Sequence, residues 1–383
     1  MNKKRICFVL YNRSNYGRLK PILQLAKLNP KIELQIVVSS SGVLSKYGNL
    51  KQILKKDKFK VNYFFYSHIE GENNFSMTKS TGLIIIELSS IFKQLNPHIV
   101  VTIGDRFETI ATATCASYMN IYLAHIQGGE LTGSIDEKIR HAVTKLSNLH
   151  LVSTKKSKQI VCQMGEDKKN VFNVGCPSID IIKNLDFKKS VNLKKYGYGI
   201  GSRVNLKNKY YVVLLHPNTE RSQQNKNIIK NLLKVINNKN IQTVWLWPNI
   251  DAGSDIITSE IRKFRELYPD NKINFYKNFE TEDYLKLIKK CSCLIGNSSS
   301  GIRESSYLGI PVVNIGDRQS NRERGTNVLD CKDNYKSILN SINIQENNRF
   351  RSSKIYGDGN SSKKIINLLI KSPTKIIKKF NVL

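Results

Sequence analysis

The strongest constraint on this chain is a rhythm. Short apolar runs, each closed by a polar or glycine-rich cluster, alternate with stretches of helical periodicity. Ile6-Cys-Phe-Val-Leu10 is the first run, closed by Tyr11 to Gly17. A run that is apolar at every position suits a strand buried on both faces of a parallel sheet. Leu19, Ile22, Leu23 and Leu25 then form a helical stripe that ends near Asn29-Pro30. Ile32 to Val38 is the next strand, and a helix is predicted from about Thr81 to Gln94. Pro97-His-Ile-Val-Val-Thr-Ile103 follows and exits into Gly104-Asp105-Arg106, which opens a helix carrying Ile110, Ala113 and Cys115. Strands and helices in this alternation predict repeated βαβ units.

The rhythm restarts in the second half. Tyr210 to Leu215 exits into His216-Pro217, and Thr243 to Trp247 exits into Pro248-Asn249. Cys293 to Ile295 exits into Gly296-Asn-Ser-Ser-Ser-Gly301, and Pro311 to Ile315 exits into Gly316-Asp-Arg318. With 383 residues and roughly 150 per domain, two α/β domains are expected. The predicted division is an N-terminal Rossmann-like domain over 1–184, a Lys/Asn/Gly-rich linker or arm over 185–209, a C-terminal Rossmann-like nucleotide-binding domain over 210–360, and a helix with a tail over 361–383.

Hydrophobic residues make up 40% of the chain, which excludes wholesale disorder. No run approaches the roughly 18–20 apolar residues a membrane span needs. The apolar stretch Ile6 to Leu10 is too short for a signal peptide. A cytoplasmic chain with no membrane association is expected. The net charge of +31 invites a nucleic-acid reading. However, the lysines are scattered (Lys55, Lys56, Lys168, Lys169), with no block of interleaved aromatics and no nucleic-acid-binding signature. Codon drift on a solvated surface explains them better, and an anionic small-molecule substrate needs only a few cations. The seven cysteines form no C-x-x-C pair and have no histidine at zinc spacing, so free buried thiols are expected and no metal site.

In an open parallel sheet, ligands bind beyond the carboxyl ends of the strands. The polar clusters fall there: Arg13, Asp105, Arg106, His125, His216, Asn249, Ser298, Ser299, Ser300 and Arg318 each follow an apolar run. The loop Gly296 to Gly301 is the best phosphate candidate, because small residues admit a ligand to the backbone and a helix N-terminus offers unpaired N–H groups. It lacks the lysine of a Walker A loop. Glu304 can accept hydrogen bonds from a ribose diol. The stretch Ala124-His-Ile-Gln127-Gly-Gly-Glu130 leads through a glycine-rich loop into a helix on which Asp136 and Arg140 share a face. Carboxylates beside arginine suit proton chemistry next to an anionic leaving group.

Taken together, Arg13 to Gly17, Gly104-Asp-Arg106, His125 to Glu130, Asp136-x-x-x-Arg140-His141, Gly175-Cys-Pro-Ser178, His216-Pro217, Pro248 to Gly253, Gly296 to Glu304 and Gly316-x-Arg-Gln319 resemble the hydrolysing UDP-N-acetylglucosamine 2-epimerases. The resemblance covers nearly the whole chain. It implies a glycosyltransferase-B type fold, with two Rossmann-like domains facing across a cleft and a C-terminal helix that crosses back onto the first domain. It implies loss of UDP with the sugar C2 proton to give a 2-acetamido-glycal, then hydration to a free N-acetylmannosamine-type sugar that feeds sialic-type acid synthesis. No cofactor is implied; a homo-oligomer (dimer or tetramer) is.

By the same resemblance, Asp105, Asp136 and position 127 fall on catalytic groups and His216 on a histidine near the diphosphate. Arg13, Arg106, His125, Glu130, Arg140, Asn249, Ser298, Ser299, Ser300, Gly301, Glu304 and Arg318 fall on substrate-binding positions. The family usually has Glu where this chain has Gln127, and an amide cannot exchange a proton in this range. A proton role there would pass to Asp105, Asp136 or Glu130. Asn15 stands where an acidic residue is usual. A related sugar such as a 2,4-diacetamido-6-deoxy hexose fits these departures. A glycosyltransferase of the same fold, or a non-catalytic nucleotide-sugar binder, are the competing readings.

Overall fold

A computed structural model describes residues 3–44, 50–71, 73–132, 135–218, 222–248, 253–374 and 378. The chain divides into two α/β units. The first comprises Met1–Leu131, Ile135–Lys183 and Tyr356–Leu383, and the second comprises Thr132–Ser134 and Asn184–Ile355.

The first unit holds β1 (Lys4–Leu10), β2 (Ile32–Val38), β3 (Tyr63–Phe64), β4 (Ile99–Ile103), β5 (Tyr122–Ile126), β6 (Leu149–Val152) and β7 (Val171–Asn173). All pair in parallel, in the order β3-β2-β1-β4-β5-β6-β7. The chain winds outward from β1 to β3 and then restarts with β4 on the other side of β1. The exits of β1 and β4 therefore flank the point where the winding reverses, which is where an open sheet leaves room for a ligand.

The apolar runs are explained by two covered faces. On one face Ile6, Phe8 and Leu10 pack with Leu19, Ile22, Leu23, Ile365 and Leu369 from the helices Arg13–Leu28 and Ser361–Lys371. On the other, Cys7, Val9, Val100 and Leu123 pack with Ile84, Leu88 and Val143 from the helices Asn74–Leu95 and Ile135–Leu146. Truncating one of the large aliphatic residues among these to Ala costs about 2–5 kcal/mol. The helix predicted from Thr81 begins earlier, at Asn74, because Asn73 and Ser76 form a reciprocal capping box. The C-terminal helix is capped by another helix: both carboxylate oxygens of Asp180 accept backbone N–H groups, from Ser361 at 2.9 Å and Ser362 at 2.6 Å.

The second unit holds β8 (Ile200–Gly201), β9 (Tyr211–Leu214), β10 (Thr243–Leu246), β11 (Ile273–Tyr276), β12 (Cys293–Gly296), β13 (Val312–Ile315) and β14 (Val328–Cys331). The order is β14-β13-β12-β9-β10-β11-β8, parallel throughout except that β8 runs antiparallel to β11. Segment 185–209 thus contributes an edge strand to this sheet. Here the winding reverses between β9 and β12. Val213, Trp245, Phe275 and Ile295 pack against Ile229, Leu232, Ile261 and Ile338.

All seven cysteines are free thiols and six are buried. Among the described residues no helix is long and apolar enough to cross a membrane.

Candidate active site

The first unit builds its candidate site on the turn that ends β4. Gly104 has φ +84°, a left-handed conformation that favours glycine. Its N–H donates to the Ile126 carbonyl at 3.0 Å, and its own carbonyl accepts from His125 Nε2 at 2.8 Å. His125 is fully buried and its Nδ1 lies 3.3 Å from the Thr144 hydroxyl. With Nε2 donating to a carbonyl, Nδ1 is left as the acceptor. Burial pushes the imidazole down to about 3, against the raising effect of its bond to Gly104. His125 is therefore a neutral strut behind the turn, and the substrate contact expected of it is replaced here by support of the turn.

Asp105 follows directly. Its carboxylate pairs with the guanidinium of Arg140, which is wholly buried and also donates to the Glu130 carbonyl. One side chain thus ties the Gly104 turn to the Gly128-Gly-Glu130 loop. The Asp105 side chain keeps 18% of its surface exposed, so the carboxylate is anchored from behind and open in front. The sequence put Arg140 on a helical face shared with Asp136. The structure sends Arg140 across to Asp105, and Asp136 lies half-buried on the first turn of Ile135–Leu146. Glu130 is buried.

Arg106 turns to its own helix. Its Nε bonds to Glu108 at 3.0 Å, and Glu108, fully buried, also accepts from the Ser40 hydroxyl at 3.0 Å. Sequence reasoning missed Glu108. The signal was an acid two residues after Arg106, in the first turn of a helix otherwise made of small and apolar residues. It also missed Arg18, on the helix Arg13–Leu28 that Arg13 opens. Arg18 Nη1 donates to Gln127 Oε1 at 2.8 Å, and it lies 3.6 Å from where a Gly104 Cβ would stand. Arg18 falls one turn after Asn15 on the same helical face, which is the spacing that would have marked it. Gln127 itself is fully buried with φ +68°. A non-glycine residue held there costs about 1–3 kcal/mol, and such strain gathers at functional sites.

The second unit presents smaller groups. At the β12 exit the Asn297 side chain clamps the backbone of His216. Its Oδ1 accepts the His216 N–H at 2.8 Å and its Nδ2 donates to the His216 carbonyl at 2.9 Å. The Asn297 carbonyl accepts from Arg318 Nη1 at 3.2 Å and Gln319 Nε2 at 3.0 Å. Asn297 therefore joins the exits of β9, β12 and β13, a role the sequence did not reveal. A Cβ on Gly296 would lie 2.1 Å from the Leu214 carbonyl oxygen, so only glycine lets the two strands meet.

Ser298 caps a 3-10 turn, Ser299–Gly301, by accepting the Ser300 N–H, and the Ser300 and Tyr284 hydroxyls are 2.6 Å apart. The helix after the loop is short, Glu304–Leu308. Its dipole is therefore weaker than a phosphate site on a long helix would enjoy. One carboxylate oxygen of Glu304 is buried with no hydrogen-bond partner among the described residues. Asn249 lies outside the described residues.

The first unit thus carries Arg13, Asp105, Arg106, Gln127, Glu130 and Arg140 at the exits of β1, β4 and β5 or tied to them, and Asp136 on the first turn of the helix that follows the β5 loop. The second gathers His216, Ser298, Ser299, Ser300, Gly301, Glu304 and Arg318 around the exits of β9, β12 and β13. A family model described as UDP-N-acetylglucosamine 2-epimerase matches residues 25–370.

The chain belongs to the UDP-N-acetylglucosamine 2-epimerase family.

Within this family it is 34% identical to the polysialic acid biosynthesis protein P7 of Escherichia coli, over 98% of this chain and 97% of that protein. It is 30% identical to a UDP-N,N'-diacetylbacillosamine 2-epimerase (hydrolyzing) of Legionella pneumophila, over 99% of both. Its fold matches the solved UDP-GlcNAc 2-epimerase of Methanocaldococcus jannaschii, in complex with UDP-GlcNAc and UDP, with a TM-score of 0.80 and 18% identity over 96% of this chain and 100% of that one. The paired Rossmann-like architecture and the hydrolysing 2-epimerase class expected from the sequence are those of its family. The glycosyltransferase and non-catalytic readings are not favoured.

Proposed function

We propose that this epimerase acts on a UDP-linked 2-acetamido hexose, releases UDP, and delivers the free sugar with inverted C2 configuration. The C2 hydrogen is not acidic, so its removal needs a positioned base. The observation that carries the assignment of roles is Asp105, anchored by buried Arg140 and exposed in front. In the first step Asp105 takes the C2 proton. The electrons of that bond form the C1=C2 double bond, the C1–O bond breaks, and UDP leaves with the bonding pair. In the second step water adds across the double bond. Hydroxyl goes to C1 and a proton delivered by Asp136 reaches C2 from the opposite face; the proton that water gives up restores Asp136, and Asp105 returns the first proton to solvent.

Arginine suits the charge developing on a departing diphosphate, because its planar fork meets paired oxygens. The arginines at the strand exits of each unit, Arg13 and Arg106 in the first and Arg318 in the second, are the groups proposed for such charge, with His216 as a further diphosphate contact. Ser298, Ser299, Ser300 and Gly301 contribute hydroxyl and backbone contacts to the nucleotide. The unpartnered Glu304 oxygen takes the ribose diol. Asn249 and Glu130 complete the binding set. Arg140 acts by holding Asp105, and His125 by holding Gly104.

The name of one full-length relative supports a 2,4-diacetamido sugar as the substrate, and that of another supports a role in sialic-type acid synthesis. We place the enzyme in the cytoplasm as a homo-oligomer, dimer or tetramer, which light scattering would resolve. The test of function is incubation in deuterated water with UDP-N,N'-diacetylbacillosamine and, separately, UDP-N-acetylglucosamine. Release of UDP with deuterium at C2 of the free sugar is expected, faster with the first. Release of no UDP from either sinks the reading.

A further inference from the structure

We propose that the Gln127 side chain is a fixed bridge between the Arg18 guanidinium and the Cys176 thiol, and that it sets where Arg18 lies over the Gly104-Asp105 turn. This rests on the 2-epimerase reading and gives the amide at position 127 a role that needs no proton transfer. Gln127 is a positioning residue in this scheme.

Both ends of the amide are used with matching polarity. Oε1 accepts from Arg18 Nη1 at 2.8 Å, and Nε2 lies 3.1 Å from Cys176 Sγ. The guanidinium carries only donors, so it dictates which end of the amide faces it. The other end must then donate, and the buried sulfur is the acceptor it meets. The backbone beneath is equally fixed: the Gln127 N–H donates to the Leu151 carbonyl at 3.0 Å, and its φ of +68° aims the side chain away from the path an extended strand would give it. Cys176 is buried and held in turn, its N–H donating to the Tyr356 carbonyl at 2.7 Å.

Two residues of the β5 exit therefore grip the same turn. His125 holds the Gly104 carbonyl. Gln127 holds Arg18, whose guanidinium lies alongside the turn, 3.6 Å from where a Gly104 Cβ would stand.

Charge explains why an amide serves here. A carboxylate at 127 would also accept from Arg18, but as an ion pair it would offset the guanidinium charge and offer Cys176 no donor. An amide orients the cation and adds no charge of its own.

The experiment is a double-mutant cycle on the full chain, read as kcat and KM for UDP release, with pH profiles and unfolding midpoints. Q127N is the informative variant, because Asn tolerates positive φ while its shorter side chain cannot reach Arg18. Q127N is expected to lower kcat at least tenfold, with an unchanged midpoint and the same pH limbs. In an R18A background it should lower kcat by less than twofold further, since the bridge then has nothing to position. Q127E should lower kcat threefold or more. Independent, multiplying effects of Q127N and R18A overturn the bridge. So does wild-type kcat in Q127N, or a Q127E enzyme that is faster and gains a new pH limb. Failure of the wild-type protein to release UDP would instead remove the epimerase reading, before any variant is compared.

Discussion

The two units are built on one plan and finished in different materials. Each is a sheet of parallel strands, with one antiparallel edge strand in the second, whose winding reverses beside its first long strand, and each opens its polar groups at that reversal. At the exits of β4 and β5 the groups are charged, buried and tied to one another: Arg140 to Asp105, Arg106 to Glu108, Arg18 to Gln127. At the exits of β9 and β12 hydroxyls, backbone amides and one asparagine clamp predominate, with His216, Arg318 and Glu304 as the titratable or charged members. Anchored charges in a water-poor place are costly to assemble and strongly shift reactivity. Small neutral groups and main chain cost little and suit recognition of a nucleotide. The contrast is the basis for proposing chemistry in the first unit and binding in the second.

The largest expected effect tests the chemical side. Asp105→Asn should reduce kcat about a thousandfold, in the range for loss of a positioned base, while UDP affinity by calorimetry changes less than threefold. Loss of UDP binding instead would make Asp105 a binding residue and erase the contrast. Next, Arg140→Met leaves Asp105 without its buried partner. It should destabilise the fold by about 3–5 kcal/mol in denaturant titrations; a loss below about 1 kcal/mol would mean the pair is not the anchor described.

On the binding side, Glu304→Ala should raise KM about tenfold, the scale for a charged hydrogen bond, with kcat within threefold. A fall in kcat with unchanged KM would place Glu304 in the chemistry.

A smaller effect follows pH. Folding holds the His125 imidazole near 3 by burial, far below the ordinary value of 6.5. The unfolded chain thus binds the proton more readily. Stability is full above about 6.5 and is lost as pH falls toward 3. His125→Gln, followed by thermal unfolding across that window, should flatten the dependence; an unchanged slope would mean His125 does not carry it. The smallest effect concerns the lysine excess. Replacing exposed Lys55, Lys56, Lys168 and Lys169 together with Gln should leave KM for the nucleotide sugar unchanged within twofold. A larger change would give the surface charge a part in substrate capture.

Much of this was legible in the chain. Runs such as Ile6-Cys-Phe-Val-Leu10 are apolar throughout because both faces of the strand are covered, and local pattern reports that directly. The residues closing those runs mark the strand exits, and with them both candidate sites, in the sequence alone. Their partners were not legible. Arg140 looked like the helical neighbour of Asp136, and its pairing with Asp105, 35 positions away, carried no signal in the spacing. His125 looked like a ligand contact and is a buried strut. Asn297 carries no mark of its role, because it sits within a serine turn, and Arg18, set in a leucine stripe, is marked only by its spacing from Asn15.

Sequence by itself determined the elements, their alternation and the family. Those follow from periodicity and from short motifs, which are local. Tertiary structure decided which charge meets which, and that Gln127 faces an arginine and a thiol. Such pairings depend on the winding of the sheet, which brings the ends of distant strands within hydrogen-bond reach. Spacing along the chain carries no record of that distance.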